Sequence, residues 1–260
     1  MTSNSTNPLP FQEIRIFGIE GLPEIHPGEN LPALLFSLFA CRQFSLQPGD
    51  ICVITQKIIS KAEGCLVDLR TITPSNFAQN LADRIHKDPR LLEVILRESK
   101  RIVRMDRDIM ICETKHGFIC ANAGVDQSNV PGEHIVSVLP PDPDESARKF
   151  RKGLEANFQI DIPVIITDTF GRPWREGLTN VAIGVAGLNS LIDLRGKKDA
   201  CGYELQKTLI AVADEIASAA ELVMKKQDRI PIAILRGYAY QKSEAGSQVL
   251  LRPPEKDLFR

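Results

Sequence analysis

Short apolar runs bounded by Gly, Pro and Asp alternate along this chain with stretches whose apolar positions recur every three to four residues. Glu13–Ile19 predicts a strand that stops at Gly21-Leu22-Pro23, and Leu31–Phe39 predicts a helix. The turn Pro48-Gly49-Asp50 launches Ile51-Cys52-Val53-Ile54, a buried strand by composition. Ser75-Asn76 caps a helix running to about Ile85. Asp88-Pro89 starts another with Pro at its first position, its Leu92, Ile95, Leu96 and Ser99 on one face. Ile109–Cys112 and Phe118–Ala121 read as strands joined by a hairpin turn at Lys115-His116-Gly117. Asp142-Pro143-Asp144 caps a helix from about Glu145 to Phe158, and a strand follows at 162–167. Gly184, Gly187 and Gly196 mark a loop-rich middle. Leu205, Leu209, Val212, Ile216, Ala219 and Val223 predict one long amphipathic helix, with a last strand at Ile230–Leu235. Regular βαβ alternation is absent, so the expected class is α+β with two interleaved lobes.

Composition narrows the function more than the fold. The 260 residues are 43% hydrophobic and 25% charged, enough for a large core. With 32 basic and 33 acidic residues the net charge is −1, which gives no global field for nucleic acid or an anionic membrane. Any anion site must be local. No run approaches the roughly 18 apolar residues of a bilayer span. The start MTSNSTNPLP has neither the basic nor the apolar part of a signal peptide, so residues 1–12 are expected to be a flexible tail. The six cysteines form no C-x-x-C, and the four histidines, His26, His86, His116 and His134, show no zinc-ligand spacing. The expectation is reduced, buried thiols in a cytoplasmic protein.

Candidate chemistry concentrates in a few segments. VIITDTFGRPWREG, residues 164–177, runs from a greasy strand into Asp168-Thr169. A carboxylate beside a hydroxyl just past a strand suits a hard cation such as Mg²⁺ or Mn²⁺; a turn cap is the plainer alternative. Small residues in Ala121–Gly124 precede Asp126 and Asn129, offering a second carboxylate or an Asx turn. Thr55–Gly64 delivers Gln56, Lys57, Ser60 and Lys61 from the end of a strand. Lysine is a point charge suited to phosphate, although no P-loop exists, and a solvated strand end is the alternative. Gly21-Leu22-Pro23-Glu24 with Gly28 is a weaker turn signal. Arg172 and Arg175 flank Trp174, pairing guanidinium forks for an anionic substrate with a stacking face. Carboxylates, lysines and arginines without a His-centred triad fit metal-assisted phosphoryl chemistry.

GIEGLPEI, TQKIISKAEG, CANAGVDQSNV, LPPDPDESA, ITDTFGRPWREG, VAIGVAGL with DLRGKKDACGYEL, and ADEIASAAELVM occur in this order. Over about residues 13–260 they resemble the coenzyme F420-0:L-glutamate ligase family, the F420:γ-glutamyl ligases, in its stand-alone form. The resemblance implies a single ligase domain over 13–260, the distinctive α+β F420 ligase fold and an intertwined homodimer with sites near its interface. It also implies the conversion of GTP, coenzyme F420-0 and L-glutamate to GDP, phosphate and coenzyme F420-1, sometimes with further γ-linked glutamates. A requirement for Mg²⁺ or Mn²⁺, with K⁺ assisting, is implied as well.

Carried over residue by residue, Gly21, Leu22, Pro23, Glu24, Thr55, Gln56 and Asn129 would contact GTP, and Lys61 would meet its phosphates. Asp126 would be a metal ligand, Asp168 would hold the first metal and Thr169 the second, and Asp126, Asp168 and Lys61 form the catalytic set. Met224, Lys225, Lys226 and Gln227 fall on the last nucleotide segment, where the family has Met-Gly followed by an acidic or amide metal ligand. Here Lys225 replaces the glycine, and the ligand column falls on Lys226 unless a one-residue gap brings in Gln227 or Asp228. A protonated lysine cannot ligate a metal. That departure keeps two alternatives open: an amide ligase for another carboxylate, or a non-catalytic nucleotide-binding homologue.

Overall fold

The structure, a computed structural model, describes residues 12–258; the expected tail lies almost wholly outside the described residues. In chain order the elements are β1 (Arg15–Ile19), α1 (Leu31–Arg42), β2 (Ile51–Thr55), α2 (Gln56–Ala62), β3 (Leu66–Asp68), α3 (Asn76–Ile85), α4 (Pro89–Glu98), β4 (Ser99–Asp106), β5 (Ile109–Thr114), β6 (Ile119–Ala121) and β7 (Ile135–Ser137). Then follow α5 (Pro143–Phe158), β8 (Val164–Arg172), β9 (Arg175–Ala186), β10 (Ile192–Asp193), β11 (Leu209–Ile210), α6 (Val212–Met224) and β12 (Ile232–Arg236).

The main sheet has the order β1-β12-β2-β8-β9, and only the β2–β8 pair is parallel. The central strands β2 and β12 bury both faces because helices cover both sides. α1 and α5 pack on one face around Leu35, Ile54, Leu154 and Ile166. α6 packs on the other against Val53, Ile165 and Val185. A second lobe, built from residues 66–137, carries the β4-β5-β6 sheet, the β3–β7 pair, α3 and α4 around its own core of Leu69, Leu92, Ile95 and Met110. The α+β expectation holds.

The helix caps fall where the sequence puts them. Ser75 accepts from Ala78 N–H, Asp88 from Arg90 N–H and Asp142 from Glu145 N–H, each with a β-region backbone. Other expectations fail for physical reasons. The strand expected to end at Thr167 continues to Arg172, because β9 zips antiparallel along it. Gly184 is inside β9, not in a loop, and it lets α5 approach: a Cβ there would strike the Pro143 carbonyl. The long helix expected from Leu205 begins only at Val212, since Leu209-Ile210 pair with Ile192-Asp193 as strands. β4 was missed because its sequence SKRIVRMD is charged and its pairing is broken by bulges. Residues 56–62, for which a solvated strand end was the alternative reading, form a helix with Lys61 only 5% exposed. Cys52, Cys112 and Cys120 are buried as expected, but Cys41 and Cys201 are exposed, and all six thiols are free.

Candidate active site

Register across the main sheet brings the candidate segments together. Ile19, Ile232, Ile54 and Ile166 form one cross-strand row. β1, β2 and β8 run in one direction, so just past this row their carboxyl ends release the Glu20–Glu24 loop, α2 and the Asp168 segment. β12 opposes them, so the loop at 225–231 enters at the same edge. Crevices outside strand carboxyl ends are the usual ligand positions of such sheets. β2 pairs with β8 only as far as Thr55 and Thr167, which leaves the next residue, Asp168, without a strand on that side.

Asp168 and Thr169 point to opposite faces of β8. Burial pushes the Asp168 carboxyl up to about 6, and the nearby Asp126 charge adds to this; the Thr169 N–H, Lys57 and Lys226 oppose it. Four charged groups from four segments thus act on one point: Asp168, Asp126, Lys57 and Lys226. The buried Cys120 thiol lines the same wall, pushed up to about 12 by burial and by Asp168.

Asp126 follows a tight turn in which Asn122, Ala123 and Gly124 all have positive φ. That accounts for the run of small residues: a Cβ on Gly124 would strike Leu139. Burial works against the Asp126 charge, but the Lys57 ammonium and Ser128 outweigh it and hold the carboxyl below its ordinary value. Lys57 Nζ pairs with Asp126 and also donates to the Ser128 carbonyl at 2.8 Å. Ser128 N–H donates to Asp126 Oδ1 at 2.8 Å, so the Asx-turn reading is also correct here.

Lys61 is tied instead to Glu24, and Gly28 N–H donates to the Ala62 carbonyl at 2.8 Å. These contacts hold the Gly21–Glu24 loop, with Leu22 and Pro23, against α2. Gln56 is buried and accepts from Ser60 Oγ at 2.8 Å, while Asn129 is exposed with φ 54°. Met224 is buried at the end of α6. Beyond it Lys225 adopts φ 47° and ψ 161°, a conformation that favours glycine, and pairs with Asp228 at 2.9 Å. Gln227 is exposed on that loop.

The arginines and Trp174 are placed differently. They form the tip of the β8–β9 hairpin, where Arg172 Nη2 donates to the Glu176 carbonyl at 2.6 Å and Trp174 is 83% exposed. The chain alone does not fold them over Asp168. Sequence reading also missed a set behind Thr169. Thr169 Oγ1 donates to Asn180 Oδ1 at 2.8 Å, and Asn180 Nδ2 donates to Glu221 Oε2 at 2.7 Å.

Among the described residues, no three His, Cys, Asp or Glu side chains form a ready metal cluster. Two observations nevertheless fit a cation at this edge. A lysine ammonium already sits on Asp126, and Asp168 is a carboxylate whose burial outweighs the compensation that Lys57, Lys226 and the Thr169 N–H give its charge. Asp126 and Asp168 would hold such a cation, and Thr169, on the opposite face of β8, would offer a neutral oxygen to a second one.

Comparison with known proteins gives the family. Residues 20–237 match the family model for F420-0:gamma-glutamyl ligase. The coenzyme F420:L-glutamate ligase of Methanothermobacter thermautotrophicus is 45% identical over 250 residues, covering 95% of this chain and 99% of that protein. The enzyme of the same name from Methanopyrus kandleri is 44% identical, covering 93% and 97%, and that of Haloarcula marismortui is 39% identical, covering 95% and 96%. This chain therefore belongs to the F420-0:gamma-glutamyl ligase family.

Proposed function

We propose that the protein joins L-glutamate to the terminal carboxylate of coenzyme F420-0 at the expense of GTP, working as a homodimer in the cytoplasm with Mg²⁺ or Mn²⁺ and with K⁺ assisting. The observation that carries this reading is the convergence of Asp126, Asp168, Lys57 and Lys226 on one sheet edge. It is an arrangement for anionic phosphates and the cation that accompanies them.

A carboxylate does not condense with an amine directly, because oxide is a poor leaving group. The γ-phosphoryl group of GTP passes to the carboxylate, giving an acyl phosphate and GDP. The glutamate amine attacks the acyl carbon, the amide C–N bond forms, the C–O bond to phosphate breaks, and the amine loses its proton. A divalent cation supplies charge neutralisation of the phosphates in the first step. Lys57 and Lys226 add fixed positive charge beside the transferred group. The Gly21–Glu24 loop, strapped to α2 through Glu24–Lys61, forms one wall of the nucleotide site, and Thr55, Asn129 and the 224–227 segment border it. Walls built from strand ends exclude water that would hydrolyse the acyl phosphate. Arg172, Trp174 and Arg175 engage the anionic substrate from the hairpin, in the dimer.

The test is mass spectrometry of the pure protein with F420-0, L-glutamate, GTP, Mn²⁺ and K⁺. A glutamyl mass addition with GDP is the expected result, and a ladder of additions gives the number of γ-linked residues. GDP without product, or neither, would count against this acceptor and favour another carboxylate or a non-catalytic role.

A further inference from the structure

Asn180 lies directly opposite Thr169 across the β8–β9 ladder and is only 4% exposed. Its side-chain amide has two possible orientations, and its neighbours decide between them. Glu221, in the last turn of α6, is a carboxylate and can only accept, so the Asn180 NH₂ must face it. The Asn180 carbonyl oxygen then faces Thr169, so the Thr169 hydroxyl must donate its proton inward. The hydroxyl oxygen is left with its lone pairs directed away from the protein donor network. A neutral hydroxyl that is to bind a cation must present lone pairs and keep its proton elsewhere.

The helix side of the chain is fixed as well. Ser218, one turn before Glu221, donates to the Asn180 backbone carbonyl at 2.8 Å and bonds Thr179 Oγ1 at 3.0 Å. Glu221 also accepts through its backbone carbonyl from Lys225 N–H at 3.1 Å, so the helix end that leads into the 225–228 loop is part of the same unit.

We infer that Glu221, acting through Asn180, is a positioning residue that sets the Thr169 hydroxyl as a ligand for a second divalent cation. This rests on the reading of Thr169 as a cation ligand. Partners one shell behind a metal ligand typically change affinity 10–100-fold when removed.

The experiment is Mn²⁺ titration followed by electron paramagnetic resonance, with GDP present, on wild type, Glu221→Gln, Thr169→Val and the double variant, each shown to be folded by circular dichroism. Gln at 221 has the same shape but offers both donor and acceptor, so it no longer dictates the Asn180 orientation. The expected result is two Mn²⁺ in wild type, one of them weakened about 10–100-fold in Glu221→Gln. That same ion is weakened in Thr169→Val, and the double variant is no worse than Thr169→Val alone. Unchanged Mn²⁺ binding in Glu221→Gln would overturn the inference. So would an equal weakening by Glu221→Gln in the Thr169→Val background, which would mean that Glu221 acts independently. Wild type binding one ion or none would overturn it too. Two Mn²⁺ with the expected cycle but no ligation product would refute the substrate reading and leave this one standing.

Discussion

Asp168→Asn tests whether the carboxylate at the sheet edge is there for chemistry or for the fold. In the metal-free protein the carboxyl is pushed up to about 6, against an ordinary value of 3.8. Its folded value lies above its unfolded one, so the fold favours the protonated form. This group's penalty is absent below about pH 4, grows as pH rises through 6, and is then constant. At 1.36 kcal/mol per pKa unit the full penalty is about 3 kcal/mol. Asparagine removes the charge and keeps the size. The variant should therefore be more stable than wild type at pH 8 by about 1–3 kcal/mol, the lower end allowing for the solvent the carboxylate still meets. That corresponds to a rise in Tm of roughly 3–8 °C. At pH 4 the two should melt together. Adding Mn²⁺ with GDP present in both samples cancels most or all of that difference, because cation at 100 times its Kd stabilises wild type by about 2.7 kcal/mol and leaves the variant nearly unmoved. Ligation should fall by about 10²-fold or more. Thermal melts with EDTA and with Mn²⁺, at both pH values, check all of this. A variant no more stable than wild type at pH 8 without metal would refute the burial argument. Full activity would refute the site.

Three further changes separate fold from function. Lys225→Gly relieves a non-glycine residue held at φ 47° and should raise stability by about 1 kcal/mol net of the unfolded-chain entropy; a drop in Tm would mean that the turn is not strained. Gly184→Ala drives a methyl into the Pro143 carbonyl and should cost about 1–3 kcal/mol in a denaturant melt, with no cost meaning that α5 can retreat from the sheet. Asp50 is fully buried and takes Arg236 in a two-pronged pair at 2.7 and 2.8 Å, so Asp50→Ala should cost about 3–5 kcal/mol while Mn²⁺ affinity of the folded protein stays the same. Altered Mn²⁺ affinity there would place the far end of the sheet in communication with the site.

What the sequence revealed tracks how local each signal is. Ser75, Asp88-Pro89 and Asp142-Pro143 each settle a helix start through a bond to a residue two or three positions away. A reader of the chain needs no tertiary knowledge to see them. β4 and the far half of β8 depend on partners elsewhere, Ile109–Thr114 and Arg175–Ala182, and their own patterns are too polar to announce them. The site divides the same way. Asp126 and Asp168 were visible because a carboxylate that follows a strand or a small-residue run is unusual by itself. Lys57 was visible as one of two lysines, but only the fold pairs it with Asp126 while Lys61 turns to Glu24. Asn180 and Glu221 look like ordinary polar positions on a strand and an amphipathic helix. The register of β9 on β8 and the docking of α6 join them to Thr169, and the one available signal was an amide next to the apolar half of β9.

The substitutions at 225–228 then acquire a consequence for how tightly a cation is held. Lys226 lowers the Asp168 pKa, so its positive charge already acts on the carboxylate that a divalent cation would use. The same field that favours ionised Asp168 repels the incoming cation, and Lys57 on Asp126 adds to that repulsion. A nucleotide bringing its own phosphates changes the sign of the balance: lysines that opposed a bare cation then attract the cation–nucleotide complex. The physical expectation from these charges is ordered assembly, with the divalent cation entering on the nucleotide instead of ahead of it. Thr169, held by Asn180 and Glu221 on the opposite face of β8, supplies a neutral ligand that this field penalises least.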